Sequence, residues 1–168
     1  MKHIHFDVES DGFYGAYWAC KDGSDCAVIA MLGDDPEDYM ARSAVKWLLR
    51  LGVNILTMSP SKKDYGHHNY PLERIEKAMA WLKLHGNEKI GIAGASTTGT
   101  LALTAASIFS DISLTIAMTP SDFVWQGFMQ GKKDGCKEWP MVENHSFLTR
   151  ESPCHTCRFA ISTLTIGA

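Results

Sequence analysis

Several things are scarce in this sequence, and each scarcity excludes something. Its 16 Lys and Arg against 19 Asp and Glu give a net charge of -3 and a pI near 6.1. It therefore lacks the cationic excess that a phosphate-backbone partner requires, and no nucleic acid is expected. Asp, Lys, Gly or Pro breaks every hydrophobic run well short of the ~18 apolar residues of a membrane-spanning helix, so no membrane partner is expected. The opening Met1-Lys2-His3-Ile4-His5-Phe6-Asp7 has no charged start followed by an apolar run, so a secretory leader is not expected either. The five cysteines (Cys20, Cys26, Cys136, Cys154, Cys157) are odd in number and scattered, which points away from a disulfide framework and toward a reducing, cytoplasmic setting. Cys154-His155-Thr156-Cys157 has a ligand-like spacing, but zinc needs two further ligands and no second paired cluster exists, only isolated Cys136 and His145. No metal and no cofactor are expected. Gly91, Gly94 and Gly99 do not make Gly-x-Gly-x-x-Gly, and no Gly-Lys-Ser/Thr supports a P-loop.

What is present is ordinary globular material: 168 residues, 45% hydrophobic and 10% aromatic. That is enough for one domain with a proper core, and not for two. Ile4, Phe6 and Val8 alternate with His3, His5 and Asp7, then Phe13 to Cys20 reads as a second strand and residues 21–25 as a turn, giving an antiparallel N-terminal hairpin. Residues 26–32 form a continuous apolar run that suits a strand buried on both faces and ends at Gly33. Asp35 is the expected N-cap of the next helix and Pro36 its first residue, with Met40, Ala44, Trp47, Leu48 and Leu51 as an apolar stripe and Gly52 as terminator. A buried strand at 53–58 follows. A polar loop then leads to a helix starting near Pro71, whose stripe is Leu72, Ile75, Met79 and Leu82 and which ends near Gly86. Trp47 and Trp81 are read as helix-packing residues. A third strand at 90–93, a helix at 98–109 and a fourth strand at 113–118 complete the pattern. Strands alternating with helices at this spacing predict a three-layer α/β/α sandwich with a mostly parallel sheet and its ligand site at the carboxyl ends of the strands.

The sharpest local feature is Ile90-Gly91-Ile92-Ala93-Gly94-Ala95-Ser96-Thr97-Thr98-Gly99, a buried strand running through small residues into a helix with serine at the apex. A nucleophile elbow needs this context. Glycine two residues before the serine relieves the tight turn, and the hydroxyl projects above the sheet at a helix N-terminus. The dipole and the Thr97 N–H could there stabilise an oxyanion, with a second donor from the backbone of Gly33 or Asp34. The other reading is an unreactive Gly/Ser turn, or one that holds phosphate, and the matching upstream topology favours the elbow. Thr98 departs from Gly-x-Ser-x-Gly, since glycine arrives one residue late at Gly99.

At these residues the chain resembles the α/β-hydrolases of the acyl-CoA thioester hydrolase and bile acid-CoA:amino acid N-acyltransferase type, with dienelactone hydrolases as more distant relatives. The resemblance rests on Met31-Leu32-Gly33-Asp34-Asp35, on Gly94-Ala95-Ser96-Thr97-Thr98-Gly99, and on Thr119-Pro120-Ser121-Asp122-Phe123-Val124-Trp125-Gln126-Gly127. It implies a partial α/β-hydrolase fold, with Ser96 attacking a small-molecule acyl thioester or ester. Phe123 and Trp125, with Phe128, are candidate pocket residues or packing residues, and His67-His68 lies in a polar loop near the expected site. The single domain divides into N-terminal strands (1–25), a core (26–126), a lid-like excursion (127–152) and an atypical tail (153–168).

In this family type the triad runs Ser, Asp, His along the chain. Only 72 residues follow Ser96, with one good central strand among them. Of the downstream candidates His145, His155, Asp122, Asp134, Glu138, Glu143 and Glu151, none sits on a recognisable strand-end loop. The resemblance therefore implies a missing acid and base, and a coding sequence truncated or frame-shifted at its end. Two functions stand side by side: a serine hydrolase of thioesters or esters, and an inactive member acting as a partial fold or binding module, whose exposed sheet edge would favour self-association.

Overall fold

The computed structural model describes residues 3–59 and 70–121. Along the chain these form β1 (Ile4–Phe6), α1 (Val8–Asp11), β2 (Gly15–Trp18), β3 (Cys26–Met31), α2 (Tyr39–Leu49), β4 (Asn54–Met58), α3 (Glu73–Leu84), β5 (Lys89–Ala95), α4 (Thr97–Ile108) and β6 (Ile112–Met118). The six strands make one sheet in the order β1-β2-β4-β3-β5-β6. β3, β4, β5 and β6 pair in parallel, while β2 runs antiparallel to both β1 and β4.

The uninterrupted apolar run of β3 is used on both faces. Ala27, Ile29 and Met31 join Leu56, Met58, Ile90 and Ile92 in one core, closed by Ile75, Ala78, Met79 and Leu82 of α3 and Ala102 and Ala105 of α4. Val28 and Ala30 join Trp18, Ile55 and Ala93 in a second core, closed by Val45 and Leu48 of α2. Helices thus cover both faces, and the architecture is the expected three-layer sandwich. Each large aliphatic side chain so buried contributes about 1.5–3 kcal/mol.

Several local expectations change. Val8 does not continue the first strand: Asp7 accepts the Glu9 N–H and starts the short α1, so the hairpin carries one helical turn. α2 begins three residues later than Asp35 suggests, because Asp38 is its N-cap and its carboxylate accepts the Ala41 N–H. Asp35 instead accepts the Glu37 N–H inside the preceding turn. The stripe of α2 keeps only Ala44 and Leu48 of the expected residues. Its buried residues are Ala41, Ala44, Val45 and Leu48, while Met40, Trp47 and Leu51 are exposed. Trp81 does pack on the core, edge-on to Phe6 and Tyr17. Gly52 has the left-handed conformation expected of a terminator, with φ 76°.

The chain passes from β3 to β4 on one side and then returns to β5 on the other side of β3. This is the switch point of the sheet, the place where open α/β sheets take their ligands beyond the strand ends. Gly33 lies two residues past β3 and Ser96 directly follows β5.

Candidate active site

β5 runs through Ala95 and α4 begins at Thr97, so Ser96 alone makes the turn between them. Its backbone sits at φ 55° and ψ −120°, a strained region for a residue with a Cβ. Two backbone hydrogen bonds hold it there. The Ser96 N–H donates to the Met118 carbonyl at the end of β6 (2.8 Å), and the Ser96 carbonyl accepts the Thr100 N–H (3.1 Å). The side chain is exposed and makes no capping bond, so its hydroxyl stands at the start of α4. The first-turn amides of a helix have no carbonyl within it, which puts the positive end of the α4 dipole at the serine.

Two glycines make room for this turn. A Cβ on Gly94 would fall on the Thr98 carbonyl and within 2.8 Å of the Gly99 nitrogen, so helix and strand meet here backbone to backbone. A Cβ on Gly99 would lie 3.1 Å from the Met118 carbonyl. Between them, buried Thr98 occupies the position where the motif has glycine. Its hydroxyl accepts the Ala95 N–H at 2.9 Å and lies 2.5 Å from the Met31 carbonyl of β3.

The turn after β3 is built on Asp38. One carboxylate oxygen caps α2, while the other accepts the N–H groups of Asp34 (2.8 Å) and Asp35 (3.1 Å). The chain passes so close to this carboxylate that a Cβ on Gly33 would overlap it. Buried Ser59, just past β4, donates to the Asp34 carbonyl at 2.5 Å. Below the elbow, the Ser121 N–H donates to the Thr100 hydroxyl at 2.8 Å, tying the segment after β6 to the first turn of α4.

The structure thus brings Ser96 and Thr97 to the end of β5, beside Gly33 and Asp34 at the end of β3, with Gly94 and Gly99 packed beneath. Phe123 and Trp125 lie outside the described residues, as do Phe128, His67, His68, His145, His155 and the acids Asp122, Asp134, Glu138, Glu143 and Glu151. The excursion and the tail lie outside them too. Of the described histidines, His3 and His5 lie at the β1 edge of the sheet, where His3 reaches Glu37 of the turn after β3, and His85 follows α3. No group of three His, Cys, Asp or Glu able to hold a metal ion occurs among the described residues. The contributions of Thr98, Asp38, Ser59 and Thr100 were not read from the sequence. Thr98 was signalled by its place in the motif, and Asp38 by its position just before an apolar-periodic run.

A family model described as BAAT / Acyl-CoA thioester hydrolase C terminal matches residues 70–158, just over half of the chain. The chain belongs to this family. Among curated proteins, none matches significantly. Among solved structures it resembles an esterase of Pyrococcus furiosus at 21% identity and a TM-score of 0.56, over 71% of this chain and 51% of that one. It also resembles a protein of unknown function from Agrobacterium tumefaciens at 16% identity and a TM-score of 0.56, over 73% of this chain and 63% of that one. A third is the esterase Est1E of Butyrivibrio proteoclasticus, solved with ferulic acid bound, at 21% identity and 0.52, over 70% and 52%. The chain spans about half to just under two thirds of the length of these structures. They share its fold, and the family places it among hydrolase-like proteins. Among the described residues no helix is long and apolar enough to cross a membrane.

Proposed function

We propose that this chain is a serine hydrolase of acyl thioesters or esters that works through an acyl-Ser96 intermediate. The observation that carries the reading is the conformation of Ser96: a positive-φ serine, exposed, not spent on capping, at the switch point of the sheet. A strained residue persists only where its surroundings enforce it, and such strain collects at functional sites. The hydroxyl would attack the acyl carbonyl, expelling the thiol or alcohol, and water would then release the acid and regenerate the serine. The Thr97 N–H is the first oxyanion donor. The second comes from the Gly33–Asp34 turn. Asp38 takes the Asp34 N–H in this conformation, which leaves the Gly33 N–H as the better candidate. Phe123 and Trp125 would line the acyl pocket.

A fluorophosphonate probe tests this directly. Labelling of the purified chain that disappears in Ser96→Ala supports the hydrolase, and a folded chain that takes no label rejects it. A second reading is an inactive member serving as a binding module. Exposed Leu114 and Met118 on β6 favour self-association in that case. A folded, unlabelled chain that elutes as a dimer or larger would favour it.

A further inference from the structure

We infer that Thr98 is a positioning residue, whose hydroxyl replaces one rung of the parallel ladder and so sets the spacing between the two halves of the site. The inference rests on the hydrolase reading for its consequence, but its geometry stands on the structure. The register of β3 against β5 ends with Met31 opposite Gly94. A parallel ladder that continued would bring the Ala95 N–H toward the Met31 carbonyl. Here the Thr98 hydroxyl stands between them. It accepts from the Ala95 N–H at 2.9 Å and has the Met31 carbonyl at 2.5 Å and the Ala95 carbonyl at 2.9 Å. A hydroxyl has one proton to give, and the shorter contact assigns it to Met31.

The two backbone groups it joins lead into the two halves of the site. Two residues beyond Met31 lies Gly33, at the turn that would supply one oxyanion donor. One residue beyond Ala95 lies Ser96, followed by the Thr97 amide that would supply the other. A direct N–H to carbonyl bond would draw the two strand ends together, and an interposed hydroxyl holds them apart by one oxygen. Thr98 is 4% exposed, which shields this relay from water that could substitute for it. Its methyl group adds a steric lock that serine lacks, and its hydroxyl adds a hydrogen-bonded one that valine lacks. Thr98 touches neither nucleophile nor substrate in this scheme. It acts through Ala95 and Met31 on the separation of the donors, and a misplacement near 1 Å at such a site costs about 100-fold in rate.

The test compares Thr98→Val with Thr98→Ser in the full chain. The first-order rate of fluorophosphonate labelling at saturating probe is measured beside the melting temperature. The expected result is that Thr98→Val slows labelling at least about tenfold per folded molecule, while Thr98→Ser restores most of the rate. A purely structural role would lower the melting temperature and leave the labelling rate of the folded fraction unchanged. That result, or a serine variant as slow as the valine, overturns the inference. If Thr98→Val does not fold, Thr98→Ala carries the same comparison. If the wild-type chain takes no label, the hydrolase reading falls by itself, and amide hydrogen exchange decides the relay. Faster exchange at Ala95 in Thr98→Val, with Ile92 unchanged and with protection regained in Thr98→Ser, supports it. Unchanged exchange at Ala95 rejects it.

Discussion

The Ser96 N–H donates to the Met118 carbonyl at 2.8 Å, so the apex of the elbow is pinned by the last residue of the neighbouring strand as well as by the Thr100 amide of its own helix. This bond helps to hold a serine at φ 55°, where a Cβ is unfavourable and glycine is not. The conformational cost and the proposed chemistry therefore lie in one residue. Ser96→Gly is expected to be about 1 kcal/mol more stable than Ser96→Ala in urea unfolding, because only glycine relieves the strain. Neither variant should take the phosphonate label. Equal stabilities would mean that the backbone at 96 is relaxed.

The two glycines beneath the elbow should respond differently. A methyl on Gly94 has only backbone to displace, the Thr98 carbonyl and the Gly99 nitrogen, and backbone moves only if α4 shifts. Gly94→Ala should cost about 3 kcal/mol or prevent folding. Gly99→Ala meets the Met118 carbonyl at 3.1 Å and should cost about 1 kcal/mol, since a shift of a few tenths of an ångström suffices. Urea midpoints for the two variants check the order.

Why the sheet could be read from sequence, and the site only in part, follows from the same distinction between burial and contact. Val28, Ile29 and Ala30 are apolar because both faces of β3 are covered, and that shows as an unbroken run. In α2 size misleads about burial. Trp47 and Met40 are large yet exposed, while the small Ala41 is buried beside Ala44 and Leu48, which the expected stripe includes. The helix start was displaced because Asp34, Asp35 and Asp38 are equally good caps as residue types, and only the fold decides which carboxylate reaches Ala41. Ser96 was legible because a tight strand-to-helix turn constrains its neighbours within a few residues. The partners of Thr98 and Ser59 are not, since Met31 and Asp34 lie 67 and 25 positions away.

Asp38 joins two roles, and its removal should show both. Asp38→Ala deletes the cap of α2 and the acceptor for the Asp34 and Asp35 amides, at an expected cost of about 2 kcal/mol in thermal unfolding. Asp38→Asn keeps one oxygen acceptor and should lose about half of that. If the Gly33–Asp34 turn supplies an oxyanion donor, phosphonate labelling should also slow in Asp38→Ala. A stable variant with an unchanged labelling rate would remove this turn from the site.

Cys26 offers a pH-dependent readout away from Ser96. Its hydrogen bond to the Asp25 carboxylate, with desolvation and the negative charge of Asp25, raises the thiol pKa above its ordinary value. Raising the pKa leaves less thiolate at any pH near neutrality, so alkylation should be slow and should accelerate only in the alkaline range. Asp25→Ala removes both the hydrogen bond and the repulsion. Mass-resolved iodoacetamide labelling at pH 8 should then run several-fold faster at Cys26. An unchanged rate would show that Asp25 does not control the thiol.

At the opposite end of the sheet, Asn54 binds three segments together: it accepts the Cys20 N–H (2.8 Å) and donates to the Ser24 carbonyl (2.9 Å) and to the Asn87 side chain (2.7 Å). Asn54 and Asn87 are both buried, and Asn87 in turn donates to the Leu82 carbonyl at 3.0 Å. Asn54→Leu has nearly the same volume and leaves an amide, a carbonyl and a carboxamide oxygen without their partner, so it should cost about 2–4 kcal/mol. Asn54 starts β4 while Ser96 follows the end of β5, so the labelling rate per folded molecule should not change. The costs of Asn54→Leu and Ser96→Ala should add within about 0.5 kcal/mol, as for independent sites. A double variant that departs further from additivity would show that the two ends of the sheet are coupled, and that loss of label in a destabilised variant cannot be assigned to the elbow alone.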